Sequence, residues 1–263
     1  MPTRESTPAH WDRVWQSHGF ANARPVFLQA LRAGFSLQGK RALEVGAGTG
    51  TSSSRVAADG ANVIALDYSA ESVQLIQRTW AAKFPSLAPL RADAVALPFA
   101  DSSFDLVFHD GVIEHFADPH QFLKENWRVM RPGGMLVVGV PQKYNPFTLY
   151  KQALILFNRW PYGWETQYSV GELRAFLEQT GFQVAQTFAD GVIGTFGPRS
   201  VRLAQRLSRW LRLSPGRNGP GAAHFSPPAE AGEALIFRLS QVPFLSQISF
   251  SVVMTGIKPG RTS

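Results

Sequence analysis

Apolar positions along the chain switch repeatedly between a period of about two and a period of about 3.6, which predicts strands alternating with helices. The runs Arg41–Val45, Asn62–Leu66, Phe104–Phe108 and Met135–Val140 are short and largely apolar, as strands covered on both faces should be. A short third strand is expected before Asp93, a sixth over Phe182–Phe188 and a last over Ile248–Ile257. Between them fall helix patterns. His10–Phe20 is aromatic-rich and lid-like, and Pro25–Ala33 carries proline in its first turn. Further helices run from about Thr49 to Ala58, from a Ser69 cap to about Phe84, and over Pro119–Met130 until Pro132-Gly133-Gly134 stops them. An apolar helix is expected over Thr148–Phe157, and another from a Ser169 cap to Thr180, ended by Gly181. This order predicts an α/β, doubly wound sheet with helices on both faces. We read one domain over 1–263, with a helical cap over 1–38 and an insertion over 190–247 before the last strand.

Ligands of such sheets bind at the carboxyl ends of the strands. The first four strands end near Gly46, Asp67, Asp93 and His109, so these positions converge on one crevice. The first turn, Gly46-Ala47-Gly48-Thr49-Gly50, removes Cβ where the chain turns sharply and where a ligand can approach bare backbone. The following helix N-terminus offers N–H groups to a polar or anionic ligand. A dinucleotide fingerprint is G-x-G-x-x-G, whose third glycine would fall at Thr51; here it comes one residue early, at Gly50. Asp67 is placed to accept hydrogen bonds from both hydroxyls of a ribose, or else to cap the next helix. Asp93 either accepts from an adenine amino group, with Leu97 and its neighbours forming an apolar slot, or caps a turn.

Composition narrows the class. At 44% hydrophobic and 17% charged, the 263-residue chain buries a core and is not disordered as a whole. Without an apolar run of membrane-spanning length or a signal core, a cytosolic protein is the default expectation. The absence of cysteine excludes disulfides and thiolate chemistry, and no spacing of metal ligands stands out, so no metal is expected. The net charge of +7 is concentrated in one place. No Asp or Glu occurs between Gly191 and Ala229, where Arg199, Arg202, Arg206, Arg209, Arg212 and Arg217 lie; the rest of the chain holds 20 basic and 19 acidic residues.

Four blocks together resemble the class I S-adenosylmethionine-dependent methyltransferases, especially the small-molecule group related to quinone- and sugar-methylating enzymes. They are Ala42–Gly50, the Asp67-Tyr68-Ser69 turn, Phe104–Phe116 and Arg128–Pro141. Tyr168–Leu173 with Gly181-Phe182 also looks like that group. The resemblance covers about residues 40 to 190. It implies a Rossmann-like methyltransferase fold of seven mostly parallel strands, the last antiparallel, with S-adenosyl-L-methionine as cofactor. It also implies a cofactor set of Glu44, Gly46, Ala47, Gly48, Gly50, Asp67, Tyr68, Asp93, Ala94 and His109. Gly46 and Gly48 would lie against the methionine portion, Asp67 on the ribose and Asp93 at the adenine. His109 would line the floor through its backbone.

The sulfonium is already an activated methyl donor, so such an enzyme mainly aligns an acceptor and excludes water. A base helps only where the acceptor is a hydroxyl or a protonated amine. His115 is the expected catalytic residue; alternatively it ties Glu114 or backbone in place. Trp11 and Trp15 stand four apart on one helix and either close over the site or pack that helix onto the core. Tyr144, Trp160, Tyr162 and Trp164 follow strand five, where the chain leaves the sheet near the methyl group. They form either an aromatic acceptor pocket or a packed connector. Arg199, Arg202, Arg206 and Arg209 share a helix face, and Leu203, Leu207, Trp210 and Leu211 line another. This basic amphipathic helix contacts an anionic membrane, binds RNA, or packs as a lid with solvated arginines. The leading expectation is methyl transfer to a small or lipid-like acceptor, at oxygen. The rivals are a nucleic-acid methyltransferase, for which Asp110-Gly111-Val112 stands where a base-flipping motif would, and a nicotinamide oxidoreductase, against which Thr51 counts.

Overall fold

Seven strands form one sheet in the order β3-β2-β1-β4-β5-β7-β6. They are β1 (Arg41–Val45), β2 (Asn62–Asp67), β3 (Leu87–Arg91), β4 (Phe104–Asp110), β5 (Met130–Pro141), β6 (Gln183–Asp190) and β7 (Ser251–Ile257). The neighbours from β3 to β5 are parallel, and β7 runs antiparallel between β5 and β6, so the expected seven-stranded, mostly parallel α/β sheet is present. The computed structural model describes residues 7–17, 24–33, 36–191, 238, 240–242 and 249–260. The basic helix expected over Arg199–Arg212, and almost all of the 190–247 insertion, lie outside the described residues.

The inner strands β1, β4, β5 and β7 are buried on both faces, and their alternation sorts side chains into two cores. Leu106 and Phe108 of β4 join Phe27 and Leu31 of α2 (Pro25–Arg32) and Val56 of α3 (Thr51–Ala58). Val107 points the other way, onto Phe122 and Leu123 of α5 (His120–Val129) and Leu173 and Leu177 of α7 (Val170–Thr180). The remaining helices are α1 (Pro8–Ser17), α4 (Ala70–Ile76) and α6 (Pro146–Leu156).

Local chemistry explains most boundaries. Ser69 accepts the Ser72 N–H at the start of α4, and Ser169 and Glu172 form a reciprocal capping box on α7. Gly181 ends α7 at a φ of 108°, a left-handed conformation that favours glycine. Two expectations need correction. The α-helix from the Ser69 cap runs only to Ile76, short of Phe84; Gln77–Ala81 is a wider π turn, and Trp80 within it lies against the glycine loop, its Nε1–H donating to the Thr49 carbonyl at 2.8 Å. The fifth strand begins at Met130, five residues early, because Met130 already pairs with Phe104. Pro132-Gly133-Gly134 is accommodated as an irregularity before pairing resumes at Leu106–Met135.

Candidate functional site

The glycine loop is tied down by hydrogen bonds to the end of β2. Gly46 and Ala47 donate to the Leu66 carbonyl at 2.8 and 2.9 Å, and Gly48 donates to Asp67 Oδ2 at 2.7 Å. The other Asp67 oxygen accepts the Ser69 N–H at 2.9 Å. Asp67 therefore locks the first and second turns together while still lining a cavity, its lone pairs only partly used. Burial pushes its carboxyl up, against the pull of these N–H groups. The N-terminus of α3 is already served: Glu44, buried beneath it, accepts both the N–H and the hydroxyl of Ser53. Burial raises the Glu44 carboxyl to about 8. The helix end expected to meet an anionic ligand thus meets a protein carboxyl instead.

At Gly46, Gly48 and Gly50 φ is positive, and a Cβ at each would collide with a neighbour. At Gly46 it would lie 2.5 Å from Val112 Cγ2, at Gly48 2.8 Å from the Trp15 ring, and at Gly50 2.7 Å from Ile76. Of the three, Gly46 lines the crevice; Gly48 lies under Trp15 and Gly50 under α4, so these two shape the loop for packing.

Two cavities meet above the strand ends. The larger, about 560 Å³, is walled by Gly46, Asp67, Tyr68, Asp93, Ala94 and Phe116, among others. Among the described residues its carboxylates are Asp67, Asp93 and Asp118, and no lysine or arginine lines it. The smaller, about 270 Å³, lies toward the ends of β4 and β5 and is walled by Asp110, Glu114, Lys151, Trp160, Tyr162 and Glu165, among others. Trp11, Trp15, Gly46, Gly111 and His115 border both. Helix α1 forms the roof. Asp12 accepts from Ser69 Oγ at 2.5 Å and Glu71 N at 3.3 Å, pinning α1 to the start of α4, and Trp11 and Trp15 stack at 6.1 Å.

His115 sits on the shared wall, edge-on to Trp11 at 4.8 Å. Its Nδ1 lies 3.2 Å from the Trp164 carbonyl, which can only accept, so Nδ1 carries the proton and Nε2 is left as a base. Burial lowers its pKa below 6.5, keeping the ring neutral near pH 7.

Several expected residues sit elsewhere. His109 is fully buried with its ring on Phe122 at 4.8 Å, on the α5 side of the sheet, and burial lowers its pKa to about 3; Gly111 and Val112 form the floor in its place. Glu44 and Ala47 are buried behind the loop and border neither cavity. Asp93 lines the larger cavity and also caps its own turn, accepting the Val95 N–H at 3.0 Å. Leu97 is buried in the core, so the slot beside Asp93 is made by Ala92, Ala94, Val95 and Phe116. Trp160 and Tyr162 border the smaller cavity. Trp164 contributes its carbonyl, and Tyr144 is 62% exposed and borders neither cavity.

The charged lining of the smaller cavity was not anticipated. Lys151 and Glu165 form an ion pair at 2.6 Å with side chains only 3% and 5% exposed, and Trp160 Nε1–H donates to the second Glu165 oxygen at 2.5 Å. Arg24 bridges Asp110 at 2.5 Å and Asp190 at 3.0 Å. The sequence signal for Lys151 was a lone cation inside an apolar helix, three residues beyond Thr148 and thus on the same face.

Residues 43–138 match the family model for a methyltransferase domain. The chain is 39% identical over 123 residues to a demethylmenaquinone methyltransferase of Renibacterium salmoninarum, covering 46% of this chain and 50% of that protein. It is 32% identical over 149 residues to a probable S-adenosylmethionine-dependent methyltransferase of Mycolicibacterium smegmatis, covering 57% and 54%. The chain thus spans about half the length of the curated relatives it matches. Among solved structures, a putative sarcosine dimethylglycine methyltransferase from Galdieria sulphuraria superposes with a TM-score of 0.58 at 14% identity, covering 96% of this chain and 98% of that one. The cyclase SpnF superposes with a TM-score of 0.57 at 20% identity, covering 94% and 86%, so the fold alone does not determine the reaction.

Proposed function

The chain belongs, through residues 43–138, to the class I S-adenosylmethionine-dependent methyltransferase family, and from that premise we propose that it transfers a methyl group from S-adenosylmethionine to a small acceptor bound in the smaller cavity. The observation that carries this reading is the meeting of the two cavities at one wall made by Gly46, Gly111, Trp11, Trp15 and His115. Donor and acceptor can face each other there with little room for water.

The larger cavity suits a cationic nucleoside. Asp67 has acceptor capacity left for ribose hydroxyls, Asp93 stands exposed at the far end for an adenine amino group, and Ala94, Val95 and Phe116 make an apolar slot. Gly46 leaves bare backbone where the methionine portion would pass, and the buried Trp15 Nε1–H has no partner and is available to it. A dinucleotide fits poorly. Among the described residues its pyrophosphate would face three carboxylates and no cation, and the N–H groups of Gly46, Ala47 and Gly48 are already taken. When bound, the cofactor supplies an activated methyl group.

The chain's own contribution is alignment and one proton transfer. We assign His115 Nε2 as the general base that takes the proton of an acceptor hydroxyl, with the Trp164 carbonyl fixing its tautomer. The aromatic walls Trp11, Trp160 and Tyr162 suit a ring-bearing acceptor. The relatives named for demethylmenaquinone support a small-molecule acceptor. Most of the smaller cavity's described lining, however, lies outside the matched residues 43–138, including Trp11, Lys151, Trp160, Tyr162, Glu165 and Phe250. Their acceptor therefore does not carry over directly. A lipid-like acceptor is supported by α6, which lines the cavity through Thr148 and Lys151 while leaving Tyr150, Leu156 and, just past its end, Phe157 exposed. Sedimentation with anionic liposomes tests this: binding unchanged by Leu156→Asp with Phe157→Asp removes α6 from any membrane contact.

The reading is tested by single-turnover transfer from methyl-labelled S-adenosylmethionine to a panel of phenols, quinols and amino alcohols. Labelled product that falls sharply with His115→Ala is expected. Label transferred equally well by that variant would remove His115 from the chemistry, and no labelled product from any of the three classes would contradict the proposed acceptor site.

A further inference from the structure

Glu114 is 2% exposed, borders the smaller cavity, and has a carboxyl oxygen with no hydrogen-bond partner among the described residues. Leaving such an oxygen dry is costly unless a ligand completes it. The charged groups packed around it come from five elements. Lys151 of α6 pairs with Glu165 of the connector, while Asp110 of β4 and Asp190 of β6 share Arg24, which precedes α2. His115, in the same turn, is kept neutral, and Tyr168 donates to the Ile113 carbonyl at 3.4 Å. With Glu114 itself there are, among the described residues, four carboxylates for two cations. The surplus lies beside the rings of Trp11, Trp160 and Tyr162.

Resting on the methyl-transfer reading above, we propose that the acceptor carries a protonated amine, which Glu114 receives within the smaller cavity with the aromatic rings around it. A carboxylate surplus inside an aromatic wall is the arrangement that recognises organic ammonium ions. A neutral ring compound would fill the volume and leave the surplus unbalanced. Without a ligand the surplus is relieved by protonation. Burial, with Glu165 close by, raises the Glu114 carboxyl to about 8, so in the free protein it is largely neutral at pH 7. An arriving ammonium stabilises the carboxylate, and the carboxyl proton leaves to solvent. A ligand that instead uses neutral Glu114 as an O–H donor, such as a ketone, releases no proton.

That difference is measurable on the full chain with two probes of matched shape, benzylammonium and benzyl alcohol. Both are titrated calorimetrically at pH 7, with and without S-adenosylhomocysteine, in phosphate and in Tris, whose ionisation enthalpies differ. The expected result is at least tenfold tighter binding of benzylammonium, with release of close to one proton. Its affinity should rise with pH from 6 to 8 as Glu114 ionises more readily. Glu114→Gln should abolish both the preference and the proton release. Equal or tighter binding of benzyl alcohol, no proton release, or a preference that survives Glu114→Gln would each overturn the proposal. The wild-type arms decide the matter even if that variant fails to fold. Absence of S-adenosylhomocysteine binding would contradict the methyl-transfer reading instead, while the probe titrations without it still decide the charge of the ligand.

Discussion

Removing the cation from the Lys151–Glu165 pair should destabilise the protein far more than loss of a surface ion pair. Lys151→Met keeps the aliphatic stem and removes only the charge. The outcome depends on burial. An exposed pair contributes about 0.2–1 kcal/mol, whereas stripping one partner from a buried pair costs about 3–5 kcal/mol because the other charge stays uncompensated. With side-chain exposures of 3% and 5% and a separation of 2.6 Å, this pair belongs to the second kind. The stranded Glu165 would keep only the Trp160 N–H and would face Glu114 and Asp110. We therefore expect Lys151→Met to lower the unfolding free energy by about 3–5 kcal/mol in urea melts followed by circular dichroism. The double change Lys151→Met with Glu165→Gln removes both charges and keeps an acceptor for Trp160, so it should recover most of the loss. A single-variant cost below about 1 kcal/mol, or a double variant no better than the single, would refute the claim that the cavity wall is a buried, charge-balanced pair.

Three further outcomes follow from the site. Gly46→Ala should weaken S-adenosylhomocysteine binding at least tenfold by calorimetry, since the new Cβ meets Val112 at 2.5 Å on a backbone with φ of 71°. Unchanged affinity would remove Gly46 from the cofactor wall. Glu44, raised to about 8 from an ordinary 4.5, favours folding in its protonated form. Its contribution is full below the ordinary value and is lost as pH rises through about 8, at up to about 1.4 kcal/mol per pH unit. Urea midpoints should therefore fall between about pH 5 and 8 and level off above, and Glu44→Gln should flatten that decline; an equally steep fall in the variant would remove Glu44 as its source. His115→Ala should lower kcat by about 10²–10⁴ for a hydroxyl acceptor, and the wild-type acid limb should lie below pH 6.5, because burial depresses the imidazole. An acid limb above pH 6.5 would contradict a neutral, buried His115.

Much of this was legible in the chain. The strand-to-helix alternation carries the topology, and Ser69, Ser169 and Gly181 announce their helix ends through chemistry that depends only on neighbouring residues. Gly46, Asp67 and Asp93 fall on the crevice because the strand ends put them there. What the sequence hid has physical causes. A strand buried on both faces shows no polar–apolar alternation, so nothing marks that His109 points away from the crevice while Asp110 lines it. Trp164 acts through its carbonyl, which no side-chain pattern reports. Gly48 serves to seat Trp15, a contact between residues 33 positions apart that depends on how α1 docks. The Arg24 bridge to Asp110 and Asp190 joins residues separated by up to 166 positions, which local spacing cannot foresee.

The central claim, that the larger cavity takes S-adenosylmethionine, is tested most directly by calorimetric titration of the protein with S-adenosylhomocysteine and, separately, with NADH. One-to-one binding of S-adenosylhomocysteine is expected, with a Kd of about 10 μM or tighter, roughly −7 kcal/mol, and no measurable heat from NADH. Binding of NADH with no response to S-adenosylhomocysteine would contradict it.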